Sequence, residues 1–442
     1  MATVSGGGNT FFLKVGSNDA NGTAQNLADM ISLALAAGTL VATNTPTVDP
    51  PTGNSLAVIA ATGTTVSLAP KVTAALINTL PGAVTVIGGG STGQSYLVST
   101  NTNITLQTGG SGAIVTGDGN NFVAVAVGSA GYNVRTGSGS DTVLALGGNN
   151  SVATGVGGHT LLGLGAGQNT VSLNGNDTLF GNASGTGNET VFGGGGTSVL
   201  FPGNSNLFFV GGSGAVTVAG GSGRATIFGG VGGGLVYGGT GSLLYVGGAG
   251  ATTVAGGQGS ATVFAGSGGD LIYGGAAGNN VLVSAGTGSA TLFGAAQGDL
   301  LYVTGISSTT LVAGAGKETL DGSTSLANNV LFGGTSGAAL LLGGSGADTF
   351  FPGSNSTIRG GGGQDLIAIV NGRTSGTTQI LDFNPAEEKV TLQDFAIGAV
   401  RDALGTATVV QVNGLRSSQL SLGTGIIVQF VGVTDISVED FI

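Results

Sequence analysis

Residues 211–239 read GGSGAVTVAGGSGRATIFGGVGGGLVYGG, and residues 247–275 read GGAGATTVAGGQGSATVFAGSGGDLIYGG. The blocks 211–246 and 247–282 align without gaps, and each divides into four units of nine. Gly-containing pairs begin at 193, 202, 211, 220, 229, 238, 247, 256, 265 and 274, two of them degenerate (Pro202-Gly203 and Ala265-Gly266). With the first Gly as position one, position eight reads Leu200, Phe209, Val218, Ile227, Val236, Tyr245, Val254, Val263, Ile272 and Val281. Every one is apolar. The period is that of a glycine turn launching a short strand with one obligate inward side chain. Four nonapeptides then make two turns of a two-sheet roll. Weaker copies run from about Thr108 to Phe192 and from Ser284 to Val370, with slips of one or two residues that mark bulges or edge loops.

Composition leaves few other architectures. The 442 residues include 92 Gly, 8 Pro and no Cys; 40% are hydrophobic and only 7% charged. Mean hydropathy is +0.41, too high for a disordered chain. Pro is too scarce for collagen, and so much Gly is incompatible with helical folds, at roughly 0.8–1 kcal/mol per Gly relative to Ala. The net charge of −11 comes without a basic stripe, which excludes nucleic acid as a partner. The sequence has no apolar run long enough to span a membrane, and Met1-Ala2-Thr3-Val4-Ser5 lacks the basic start and apolar core expected of a signal peptide.

Position nine shares the parity of position seven and is expected to face outward. It reads Phe201, Val210, Ala219, Phe228, Tyr237, Val246, Ala255, Phe264, Tyr273 and Leu282. Stacked by turn, one sheet shows Tyr237 and Tyr273, and the other shows Phe228, Val246, Phe264 and Leu282; Leu235, Leu244 and Leu271 widen the stripes. An exposed ladder of this length exceeds the few hundred Å² of apolar patch usual on a monomer. Either another part of the chain folds over it or another copy packs on it, and the regularity favours self-association.

The unit resembles the RTX nonapeptide, G-G-x-G-x-D-x-U-x, of calcium-binding β-roll proteins secreted by Gram-negative bacteria. Gly343-Gly344-Ser345-Gly346-Ala347-Asp348-Thr349-Phe350-Phe351 and Gly360-Gly361-Gly362-Gly363-Gln364-Asp365-Leu366-Ile367-Ala368 match it in full. The resemblance implies calcium at Asp348 and Asp365, which lie 17 residues apart, close to one turn; a metal-free turn is the competing reading. Near matches place Asp141 and Asp177 in the same role, and Asp270 is the one acid at position six of the central block. For these three, an Asp that satisfies its own turn is the leading reading. Elsewhere in the block position six reads Ser198, Leu207, Val216, Ala225, Gly234, Leu243, Thr252, Ala261 and Asn279. Apolar packing is therefore expected to replace the ion in the middle of the roll, leaving few calcium sites, mainly towards its C-terminal end. Ile380-Leu381-Asp382-Phe383-Asn384-Pro385-Ala386-Glu387-Glu388-Lys389-Val390 is similar to the segment following RTX repeats, and Glu439-Asp440-Phe441-Ile442 to an uncleaved type I secretion signal.

Together these readings predict an all-β, right-handed parallel β-roll (β-solenoid) over residues 105–370. A small helix-containing N-terminal cap or docking region (1–104) precedes it, and a β-rich C-terminal cap (371–442) follows. Helical spacing marks Ala24–Ala37 and Lys71–Leu80 as the two helices of the cap. No catalytic set is visible. The single histidine, His159, has no candidate partner. Gly89-Gly90-Ser91-Thr92-Gly93 and Gly314-Ala315-Gly316-Lys317-Glu318 are chance echoes of nucleophile and phosphate motifs in Gly-rich sequence. The function expected is non-catalytic: a secreted structural protein that self-assembles into an extracellular fibre, surface layer or biofilm matrix. The alternative is an adhesin whose flat aromatic and Thr face binds cell-surface polysaccharide. In both, type I secretion machinery exports the chain to the cell surface or exterior of a Gram-negative bacterium.

Overall fold

A computed structural model describes the chain apart from residues 1, 7–8, 14–22, 44–53, 61–62, 64, 78–81, 89–93, 99–101, 128, 158, 184–186, 296–297 and 424. The chain is all-β, a parallel β-solenoid of about 16 turns, with two α-helices among the described residues. It divides into two compact units, Met1–Thr226 with Gly230–Gly232, and Ile227–Gly229 with Gly233–Ile442.

In the second unit one sheet takes Leu243–Val246, Ala261–Ala265, Val281–Ser284, Leu300–Gly305 and their successors. The other takes Gly234–Tyr237, Thr252–Ala255, Leu271–Tyr273, Thr291–Phe293 and theirs. Each strand pairs in parallel with its equivalent one turn later, so side chains stack on their own counterparts. The first unit is built in the same way, from Leu40–Thr43 and Thr65–Ser67 onward. Parallel strands thus begin well before residue 105.

The inner line is the predicted one. Val218, Val236, Val254, Val263 and Ile272 are completely buried, each worth roughly 1.5–3 kcal/mol of apolar transfer. Glycine is required where turn meets turn. Gly363 has φ 106°, and a Cβ there would stand 2.3 Å from the Gly346 carbonyl oxygen one turn earlier.

The register breaks at one predicted point. Val263 pairs with Leu282, not with Val281, because the loop after Tyr273 carries one extra residue, accommodated by left-handed Gly278 and Asn279. Parity flips as a result. Leu282 is fully buried and leaves the outer ladder, Val283 takes its place, and Asn280 instead of Asn279 fills position six.

Of the two expected helices, one forms. Helix α1 (Thr23–Ala36) packs Leu27, Ile31 and Leu35 against Leu76, Leu97 and Val115. Those three residues are in register on adjacent strands and point away from the interior, where their neighbours Tyr96 and Ile114 sit. The helix therefore caps the first turns from the outer side. The segment expected as a second helix is instead the strand Val72–Ile77, paired with Asn54–Ile59 and Ser95–Val98. Its short apolar run fits both periodicities, and the tertiary pairing decides.

At the C-terminal end Gly376–Ile380 pairs in parallel with Ile426–Phe430, and Leu415–Ser421 and Thr408–Val412 extend this sheet antiparallel. Helix α2 (Ala399–Gly405) lies in the connection. Phe383 packs edge-on against Phe430 at 5.0 Å, and Lys389 Nζ donates to the Glu439 carbonyl at 2.9 Å. No helix among the described residues is long and apolar enough to cross a membrane.

Ile272→Ala is expected to cost about 2–5 kcal/mol in denaturant unfolding, while Leu271→Ala, on the outer side of the same strand, costs about 1 kcal/mol or less. Equal losses would contradict the inward assignment of position eight.

Candidate functional site

Two features of the fold concentrate chemistry: buried acids at position six and an apolar outer face. The acids come first because the turn geometry dictates their surroundings. Where a strand leaves a glycine corner, backbone N–H groups point into the roll and need acceptors. Asp348 is 1% exposed; its Oδ1 accepts from the Asn329 N–H at 2.6 Å and its Oδ2 from the Gly344 N–H at 2.7 Å. Asp270 repeats the arrangement with Thr252 at 2.8 Å and Gly266 at 2.7 Å. Asp299 does so with Asn280 at 2.9 Å and Ala295 at 2.8 Å.

Asp348 and Asp365 immediately precede the paired strands Thr349–Phe351 and Leu366–Val370, and Asp365 Oδ1 accepts the Asp348 N–H at 2.8 Å. Its Oδ2 is buried without a hydrogen bond. That atom and Glu388 Oε1 both lie within 2.8 Å of the place a Gly360 Cβ would take, so only glycine leaves room for the pair. Burial, followed by the charges of Asp348 and Asp382, pushes the Asp365 carboxyl up to about 7. Burial likewise raises Glu388 to about 7, with Asp365 and Asp382 adding to it. Burial also holds Asp270 and Asp348 above the ordinary carboxylate range.

In the first unit Asp141 Oδ1 accepts from the Asn121 N–H at 2.9 Å and from its side-chain amide at 2.8 Å. Burial raises this carboxyl to about 6. Asp177 Oδ2 accepts from Thr154 Oγ1 at 2.8 Å and from the Gly175 N–H at 3.1 Å. Asp141, Asp177, Asp270, Asp348 and Asp365 are therefore all inside the roll, and Asp348 and Asp365 do occupy adjacent turns.

Calcium takes six to eight oxygen ligands. The groups aimed at both oxygens of Asp348 are N–H donors, and donors cannot ligate a cation. Among the described residues no three His, Cys, Asp or Glu side chains converge as metal ligands. As folded, Asp348 has both oxygens committed to N–H groups, whereas Asp365 keeps Oδ2 outside any hydrogen bond.

Sequence reasoning missed three inward acids, Glu189, Glu318 and Glu388, while for Asp299, as for Asp270, its leading reading was an Asp that satisfies the backbone of its turn. Glu318 ends the supposed phosphate-loop echo, which is in fact a corner of the roll whose Gly314 N–H the carboxylate accepts. For Glu189 and Glu318 a glycine four residues before the acid (Gly185 and Gly314) was the available signal; Glu388 and Asp299 have Asn384 and Ala295 there. Gly89–Gly93 lies outside the described residues, and His159 begins the strand His159–Leu164.

The outer face belongs to the second unit. Tyr237 is 48% exposed, Tyr273 40%, and Phe228 and Phe264 38% each; Val246 is half-buried between these last two. The Tyr237–Tyr273 column runs on through Phe293, Val312, Phe332 and Phe351. Rings stack where they meet, Tyr273 on Phe293 at 4.8 Å and Phe332 on Phe351 at 4.5 Å. Among known proteins, no family model and no curated sequence matches this chain.

The buried glutamates set a pH dependence. Burial raises Glu189 and Glu318 to about 7, against an unfolded value near 4.3. Between these values the folded chain binds more protons than the unfolded one, so stability falls as pH rises from about 4.5 to 7 and levels above. The thermal midpoint at pH 5.5 should exceed that at pH 8 by about 5 °C or more, and Glu189→Gln with Glu318→Gln should narrow the gap. A midpoint that climbs with pH would contradict this.

Proposed function

We propose that this chain is a non-catalytic structural protein that packs against copies of itself to build an extracellular fibre, layer or matrix. The observation that carries the reading is the stacked apolar column from Tyr237 to Val312. Its outward residues at positions seven and nine (Leu235, Tyr237, Thr253, Ala255, Leu271, Tyr273, Thr291, Phe293, Thr310 and Val312) include no charge. In a chain of net charge −11, an uncharged face is where two copies can meet without repulsion. The periodicity supports a second copy as the occupant, because a face repeating at about 4.8 Å is matched by another face with the same repeat. On the first turns, by comparison, the chain covers the outward Leu76, Leu97 and Val115 with its own helix α1.

Export belongs to the same reading. It rests on the resemblance of the nonapeptides at 343–351 and 360–368 to those of proteins secreted by Gram-negative bacteria, and would put the assembly on or outside such a cell.

A second reading takes the same face as a polysaccharide platform. Tyr237 and Tyr273 lie two turns apart, about 10 Å, with Thr253 one turn from each supplying a hydroxyl. Aromatic faces at that spacing suit alternate rings of an extended glycan.

Light scattering and negative-stain imaging against concentration separate the two. Self-assembly predicts particles that grow with concentration in the absence of any glycan. Tyr237→Lys with Tyr273→Lys should raise the threshold for assembly at least about tenfold, the equivalent of roughly 1.4 kcal/mol. A wild-type chain that stays monomeric at high concentration yet sediments with insoluble polysaccharide would replace the first reading by the second.

A further inference from the structure

Three sixth-position acids share a pattern that an ion site does not require. In the second unit Asp270, Asp299 and Asp348 each use one oxygen for the N–H of the sixth-position residue one turn earlier (Thr252, Asn280 and Asn329). Each uses the other for the N–H four residues before itself, at Gly266, Ala295 and Gly344. One donor belongs to the preceding turn and one to the acid's own corner, so a single carboxylate ties two turns together. All three are at most 3% exposed, where such charge-assisted bonds are strong and an unmet N–H is costly.

The neutral members of the same columns follow the chemistry of their corners. Asn280 accepts the Ala261 N–H with Oδ1 at 2.8 Å and donates from Nδ2 to the Gly275 carbonyl. Asn329 accepts the Thr309 N–H at 3.2 Å and donates to the Ala327 carbonyl at 2.9 Å. At Asp270, Asp299 and Asp348 the corner presents an N–H; at Asn280 and Asn329 it presents a carbonyl. A slot selected for calcium would not sort in this way, since an ion asks only for oxygen.

We infer that Asp270, Asp299 and Asp348 are turn-to-turn locks that accept backbone N–H groups in the place of an ion, so that the roll closes at these turns without calcium. This goes beyond the self-association reading and does not depend on it.

Thermal unfolding of the full-length chain, followed by circular dichroism in chelator and in millimolar calcium, tests the inference. The wild-type midpoint is expected to agree within about 2 °C between the two conditions. Asp348→Ala leaves two buried N–H groups unmet and should lower the midpoint by about 5 °C, equally in both. Asp348→Asn keeps one acceptor and should lose less than Asp348→Ala, again equally. A wild-type midpoint that rises well beyond that margin with calcium overturns the inference. So does an Asp348→Ala loss seen only in calcium, or no loss at all. If the alanine variant fails to fold, the wild-type comparison still decides.

Discussion

Each turn of this molecule must place its backbone N–H and C=O groups on the turn before and the turn after, at the strand spacing of about 4.8 Å. No side chain can then escape its counterpart. An inward methyl rests on an inward methyl, Asp365 on Asp348, and the Phe293 ring on that of Tyr273. The columns Val236–Val254–Ile272 inside and Tyr273–Phe293 outside are two products of this one constraint.

The constraint also explains why the polar interior is confined to segments. A column of buried carboxylates accumulates desolvation and mutual repulsion, seen in the raised protonation of Asp365 and Glu388. Local backbone donors relieve it only where the corner supplies them, as at Gly344 and Gly266. Where position six is Leu207, Val216, Ala225 or Leu243, the slot is filled by apolar packing instead, and all four side chains are buried. Apolar residues and N–H-accepting acids solve the same problem, that of holding one turn onto the next. The outer columns have no such internal solution. Their apolar surface faces away from the roll, and its use has to come from something that docks there.

The nonapeptide beat carried the fold because period and parity are local. Gly at the corner and an apolar residue seven positions later are enough to define turn, strand and inner line over residues 193–273. Local reasoning failed where one extra residue entered a loop. The Ala276-Ala277-Gly278-Asn279 corner shifts parity and sends Leu282 inward, and nothing in its composition separates it from an in-register turn. It failed also at Val72–Ile77, whose spacing suits a helix until Asn54–Ile59 and Ser95–Val98 lie on either side.

By itself, then, the sequence determined an all-β parallel roll with an apolar interior and an aromatic exterior, because these follow from spacing along the chain. It also placed Asp348 and Asp365 on neighbouring turns. What Asp348 faces was decided only by the tertiary structure. Whether a carboxylate meets oxygen atoms or N–H groups depends on the orientation of peptide planes in two different turns, and no motif of nine residues encodes the turn beneath it.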